Sequence, residues 1–331
     1  MEFAYHRLAR SVPGYRWWKP LVAGLIALGL FIGFTIVLVV LLLLSTLAFP
    51  QIRPVITRLI TTGVIDNSLP VVLAFSLLTI TVILPSILLA RRIMGPRPVG
   101  LLSSVAGRLR WRWMTRLILP VVIAYGVSTL FSVSLLPLLA GGSPPTPTIG
   151  RDTWTVVLVA VLLVPLQAAA EEYFFRGYLA QTIGGWLRHP LFAILLPVPL
   201  FTIGHQYDAW GLVDVSVFAV VAGWLAWRTG GLEASIAAHV VNNTVIFAIG
   251  AFGLVDVNSK GGNGLEVVIS TLTLAFYAWL VLRAARRFGL ERVSVVAPAP
   301  APAPAPVAPP PDPVTRVLAD DRPPGDVGTR G

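Results

Sequence analysis

Along most of this chain, apolar residues run on without alternating with polar ones, and the ionisable residues collect in the gaps between runs. An α-helix rises 1.5 Å per residue, so about 20 apolar residues cross a ~30 Å hydrocarbon layer. On that measure the pattern predicts eight spanning helices. The first lies between Lys19 and Arg53, and its stretch from Leu21 to Phe49 is too long for the apolar core of a signal peptide. Asp66 and Arg91 bound the second, and the third runs from about Leu117 to Leu139, closed by the breaker loop Gly141, Gly142, Ser143, Pro144, Pro145. A fourth begins near Trp154 and is interrupted by charge at Glu171. After Arg188, His189 and Pro190 the pattern predicts a fifth span to about His205, a sixth from about Leu212 to Trp227, a seventh from about Ala234 to Leu254 and an eighth from about Val267 to Leu282. Alternating Ala and Pro from Ala297 to Pro306 break the helical pattern and read as an extended tail.

Composition agrees with this reading. Mean hydropathy is +0.80 and charged residues make up 12% of the chain, about half the share of a soluble domain. The fold class expected is an all-α polytopic membrane helix bundle of about eight transmembrane helices, with a catalytic core on the later ones. The formal net charge of +10 is explained by topology. With eight spans, the segments on the side of the termini hold Arg7, Arg10, Arg16, Lys19, the arginines from Arg91 to Arg116, Arg176, Arg188, Arg228, Arg283, Arg286 and Arg287. Opposite stand only Arg53, Arg58, Arg151 and Lys260, with Asp66, Asp152, Asp208 and Asp256. The positive-inside rule then places both termini in the cytoplasm of a cell whose inner membrane holds the protein. The basic loop from Arg91 to Arg116, with Trp111 and Trp113, is expected at the lipid headgroups and not on nucleic acid. Absence of cysteine excludes disulfides, thiolate metal sites and a cysteine nucleophile. Gly29 and Gly33 form a Gly-x-x-x-Gly pair suited to helix packing. Three regions are expected: 1–153 with the first helices and the basic loop, 154–290 with the core, and 291–331 as a disordered Ala/Pro-rich tail.

Ionisable residues inside apolar spans each cost several kcal/mol unless paired or solvated, so they mark sites. Glu2, Glu233, Glu266 and Glu291 fall in tails or at span ends, where water reaches them; Glu171 and Glu172 follow a long apolar helix. On a helix Glu172 and Arg176 are four apart, acid before base, and pair on one face. Glu171 points about 100° away, which leaves a partly desolvated carboxylate suited to act as a general base. Two of the four histidines fall in spans: His205, one turn after Phe201, and His239, one turn before Asn243. Counted from the predicted helix ends, Glu171, His205 and His239 lie about 12–22 Å from the cytoplasmic boundary, so three helices can converge on one polar site.

Glu171-Glu172-Tyr-Phe-Phe-Arg176, Phe201-x-x-x-His205 and His239-x-x-x-Asn243 resemble, in order and spacing, the E-E-x-x-x-R, F-x-x-x-H and H-x-x-x-N motifs of the CPBP intramembrane proteases. That group includes the type II CAAX prenyl endopeptidases and bacteriocin-processing or self-immunity proteins. The resemblance covers about Trp154 to Leu254 and implies peptide-bond hydrolysis within the membrane, on a membrane peptide or lipopeptide substrate. It implies Glu171 as the base that deprotonates water, with His205 orienting or sharing that proton. His239 and Asn243 would be donors to the oxyanion, and Glu172, Arg176 and Phe201 their support. Zinc held by Glu171, His205 and His239 is the alternative. The missing H-E-x-x-H arrangement favours a metal-free glutamate mechanism. Two other classes stay open. One is a non-catalytic immunity or scaffold protein on the same fold; the other is a proton-coupled transporter, which would usually show repeated halves.

Overall fold

The structure is a computed structural model that describes residues 1–295. Nine helices organise them. A peripheral helix α1 (Lys19–Ala48) is followed by the short α2 (Arg53–Thr62) and by α3 (Pro70–Met94). Next come α4 (Trp111–Leu139), α5 (Thr153–Trp186), α6 (Pro190–Ile203), α7 (Ala209–Thr229), α8 (Glu233–Ala251) and α9 (Gly264–Phe288). Seven are long and apolar enough to cross a membrane. The eighth expected span, α6, is shorter, because Pro197 breaks it into Pro190–Leu195 and Pro197–Ile203 and Gly204 ends it. From Pro190 to Ile203 it rises only about 21 Å. His205 therefore sits two residues beyond a helix end and not within a span.

Despite that short rise, α6 carries the chain from one face of the bundle to the other. Strand β1 (Glu2–Ala4) pairs antiparallel with β2 (Val293–Val295), so the first and last described residues lie on one face, here called proximal. His6 bonds the Arg188 carbonyl just before α6, and Leu232 N–H bonds Ser103 O between the loops before α4 and α8, all on that face. On the distal face Asn67 meets Asn258, Thr148 meets Phe252, and Asp208, just after α6, meets Lys260. Every connection alternates between the two faces, which makes eight passages.

Burial grades the helices. The most apolar 18-residue stretch of α1 is 6% buried, whereas that of α5 is 39% buried, so α5 is central and α1 presents its aliphatic faces to lipid. Helix α5 packs on α3 and α8, and α7 packs on α9. Small residues permit this closeness: Ala160, Ala168 and Ala170 on α5 and Ala234, Ser235 and Ala238 on α8 are all buried.

Several expectations are corrected at the proximal face. Glu233 is fully buried rather than water-exposed, and Arg110 grips it through Nε (2.9 Å to Oε1) and Nη2 (2.7 Å to Oε2). Arg91 is 1% exposed and bonds Pro96 O and Gln181 Oε1, so it is a structural cation and not a loop charge. Within the basic loop, Leu102 and Ser104 are buried under the α7–α8 turn and Trp113 is enclosed beside Phe288, while Trp111 stays exposed. Among the described residues nothing packs against Gly29 or Gly33, contrary to the expected helix contact; Gly24 is the α1 glycine that admits a neighbour, Tyr178. The expected disordered tail from 291 begins with β2, and the rest of the Ala/Pro segment lies outside the described residues.

Candidate active site

Helix α5 is regular to Glu172 and then makes a π-helical stretch from Tyr173 to Leu179, whose i→i+5 hydrogen bonds widen the turn. Such stretches recur at functional sites, and this one begins at the acidic pair. Arg176 Nη1 donates to Glu172 Oε1 at 2.8 Å, with both side chains buried. Three rings enclose the guanidinium. Phe201 lies 4.4 Å from its central carbon, Phe218 5.6 Å and Phe175 5.9 Å, a cation–π box around a buried cation.

His239, one and a half turns into α8, stands between the two carboxylates. Its Nδ1 is 2.9 Å from Glu172 Oε1, the oxygen Arg176 also uses, and its Nε2 is 3.4 Å from Glu171 Oε2. An ionised carboxylate only accepts, so Nδ1 donates to Glu172. Nε2 then faces Glu171 Oε2, a buried oxygen with no hydrogen-bond partner among the described residues, while Glu172 holds the imidazole from its other side and Arg176 holds Glu172. Helices α5 and α8 are joined once more, one turn away, where Asn243 Nδ2 donates to Gln167 Oε1 at 3.4 Å and Asn243 Oδ1 accepts from Asn242 at 3.0 Å.

His205 stands apart from that network. Its Nδ1 donates to the Phe201 carbonyl at 2.9 Å, which leaves Nε2 as an acceptor, and its ring lies 4.8 Å from Phe201 and 5.8 Å from Tyr207. Among the described residues it makes no hydrogen bond to Glu171. His205, His239, Asn243 and Phe201 all line one chamber of about 700 Å³, between α4, α7, α8 and α9. Distal-face residues Pro145, Tyr207, Gly261 and Gly262 form its mouth. That volume suits a peptide segment several residues long.

Zinc does not fit the donor set as it stands. Among the described residues no three His, Asp or Glu side chains converge on a common point.

The sequence marks Gln167 as a polar residue in an apolar helix without a role, and Tyr125 and Asp214 of this region are not singled out by it. Asp214 carried a signal, since an acid six residues into an apolar helix is costly, and it lines the chamber.

Comparison with known proteins agrees with the motifs. Residues 152–245, which include all of α5, α6 and α7 and most of α8, match the family described as type II CAAX prenyl endopeptidase Rce1-like. The chain is also similar to "Uncharacterized protein YyaK" of Bacillus subtilis (strain 168), 28% identical over 174 residues, covering 48% of this chain and 55% of that protein. The chain thus spans about half the length of the curated relative it matches. No solved structure matches it. The resemblance drawn from three short motifs is thereby supported by a contiguous segment.

Proposed function

We propose that this protein is an intramembrane endopeptidase that hydrolyses peptide bonds of membrane-associated peptide segments by a glutamate-activated water. The observation that carries this reading is the imidazole of His239 held between two buried carboxylates at the wall of a peptide-sized chamber. In this mechanism Glu171 takes a proton from a water in the chamber, and His205, whose Nε2 is left as an acceptor, orients that water. The hydroxide oxygen adds to the scissile carbonyl. Asn243 keeps one N–H beyond the one given to Gln167, and with His239 it donates to the developing oxyanion. The C–N bond breaks as Glu171 returns its proton to the departing amine, which leaves a free carboxyl and a free amino end. Glu172, Arg176 and Phe201 do not touch the reacting atoms; they fix His239 and keep its charge partner buried.

The family similarity extends this reading to substrates with a membrane-bound or lipidated C-terminal region. The proximal face carries nearly all the arginine, so it faces the cytoplasm and the chamber mouth opens toward the other side of the cell membrane. The test is Glu171→Gln in the full chain, reconstituted in lipid nanodiscs with quenched-fluorescence apolar peptides. It is paired with a proteomic comparison of membranes carrying each form. Cleavage falls by a factor of about 10²–10⁴ in the variant while the fold is kept. A variant that cleaves as the parent does, or an unchanged set of membrane peptides, overturns the reading and returns the fold to a scaffold role.

A further inference from the structure

The chamber carries formal charge of one sign only. Its lining contains Asp214 and Glu266 and no lysine or arginine, although the chain as a whole has 25 Lys and Arg to 15 Asp and Glu. The two acids are not equivalent. Glu266 belongs to the N-terminus of α9, where Asn263 Nδ2 donates to its Oε1 at 2.8 Å. Asp214 sits inside α7, on the chamber wall; Ser270 of α9 hydrogen-bonds its carboxylate, yet Oδ1 is buried with no hydrogen-bond partner. A buried carboxylate oxygen without a donor costs free energy of order 1–3 kcal/mol or more, and a ligand that brings a donor removes that cost.

The position of Asp214 relates it to the proposed chemistry. Phe218 follows it by four residues, one turn and about 6 Å along α7, and the Phe218 ring packs 5.0 Å from the His239 ring. Asp214 therefore lies about 10 Å from the imidazole toward the distal mouth, a span that an extended peptide covers in about three residues. The rings of Tyr125, Tyr207 and Trp210 also line the chamber, and an aromatic ring attracts a cation placed over its face.

We propose that Asp214 and these rings form a binding subsite for a cationic group of the substrate, a lysine or arginine side chain about three residues from the bond that is cut. The subsite rests on the peptidase reading above and names its substrate class. An ammonium or guanidinium arriving there finds a carboxylate oxygen without a hydrogen-bond partner, aromatic rings, and no lysine or arginine in the lining.

The test uses the full chain carrying Glu171→Gln, so that bound peptide persists. Equilibrium binding is measured for two fluorescent apolar peptides, identical except for one lysine or one norleucine, with that residue scanned along the peptide. Binding is about tenfold tighter for lysine at a confined position, and adding Asp214→Asn reduces the ratio to about one. Asp214→Glu, which keeps the charge if the asparagine variant folds poorly, retains the preference. Equal affinity for the two peptides at every position in the Glu171→Gln protein overturns the subsite without any Asp214 variant. An undiminished ratio in Asp214→Asn also overturns it. Cleavage of the same peptides by the parent chain is read separately. Lysine preference in binding without cleavage retains the subsite and removes the peptidase reading, whereas cleavage without preference does the reverse.

Discussion

At the scale of single residues, the two adjacent glutamates divide their labour by geometry. Glu172 is fully enclosed and its Oε1 accepts from both Arg176 and His239, whereas Glu171 has the single long contact to His239. The two neutral amides should therefore behave oppositely. Glu172→Gln leaves a buried guanidinium without its counter-charge and destabilises the fold by about 3–5 kcal/mol, as expected when one partner of a buried pair is removed. Glu171→Gln costs far less. Thermal unfolding of the two variants in the same detergent measures the difference, and an equal shift for both would contradict this assignment. Arg176 is not replaceable by lysine on the same grounds: its flat face rests on Phe201, and its fork reaches Glu172 from inside an aromatic box.

At the scale of elements, α8 is held at its start by a latch that has no counterpart in the local sequence pattern. Arg110 donates through its backbone and side chain to Glu233, and also to the carbonyls of Thr229 and Glu291, which ties the α4 entry, the α7–α8 turn and the C-terminal strand together. His239 lies six residues further along α8. Arg110→Ala leaves Glu233 buried and alone; the expected result is a loss of about 3–5 kcal/mol and reduced cleavage, partly recovered when Glu233→Gln is added. Failure of the second change to recover either readout would argue against the latch.

The N-terminal turn from Tyr5 to Ser11 is docked differently. It meets α5 at Gly184, where a Cβ would come 2.0 Å from the His6 carbonyl. Burial holds the His6 imidazole below its usual range, with one ring nitrogen on Arg188 O and the other, Nδ1, unpartnered. The docked turn favours the neutral ring, so its stability is full above the ordinary value near 6.5 and declines as pH falls through it. Amide protection factors across residues 5–11, in which exchange is divided by its intrinsic rate at each pH, are accordingly lower at pH 5.5 than at pH 7.5; equal protection would contradict this.

At the scale of the whole molecule, an even number of passages follows from a three-residue sheet. Because β1 and β2 pair, α6 must carry the chain across despite being too short to qualify by length. The chain contains no cysteine, so single cysteines can report the sidedness directly. Cysteines at positions Glu2 and Glu291 should react with a membrane-impermeant maleimide from one side, and cysteines at Ser143 and Ser259 from the other. Labelling of the first two from opposite sides would show an odd number of passages.

Runs of apolar residues and their charged punctuation were sufficient to establish an all-α bundle of about eight passages and the basic side of it, because burial in lipid acts on each helix separately. The Glu172–Arg176 pair was equally legible, since neighbours four apart meet on any helix. The matching motifs marked α5, α6 and α8 as the place to look. Which side chains meet across helices was decided only by tertiary packing. Sequence spacing cannot show that His239 takes both carboxylates while His205 turns to its own backbone, that Arg110 and Arg91 leave the loops for the interior, or that Asp214 faces the same chamber. Those outcomes depend on how far two helices approach and in what rotation, and that is set by alanines, serines and glycines whose sequence signal is weak.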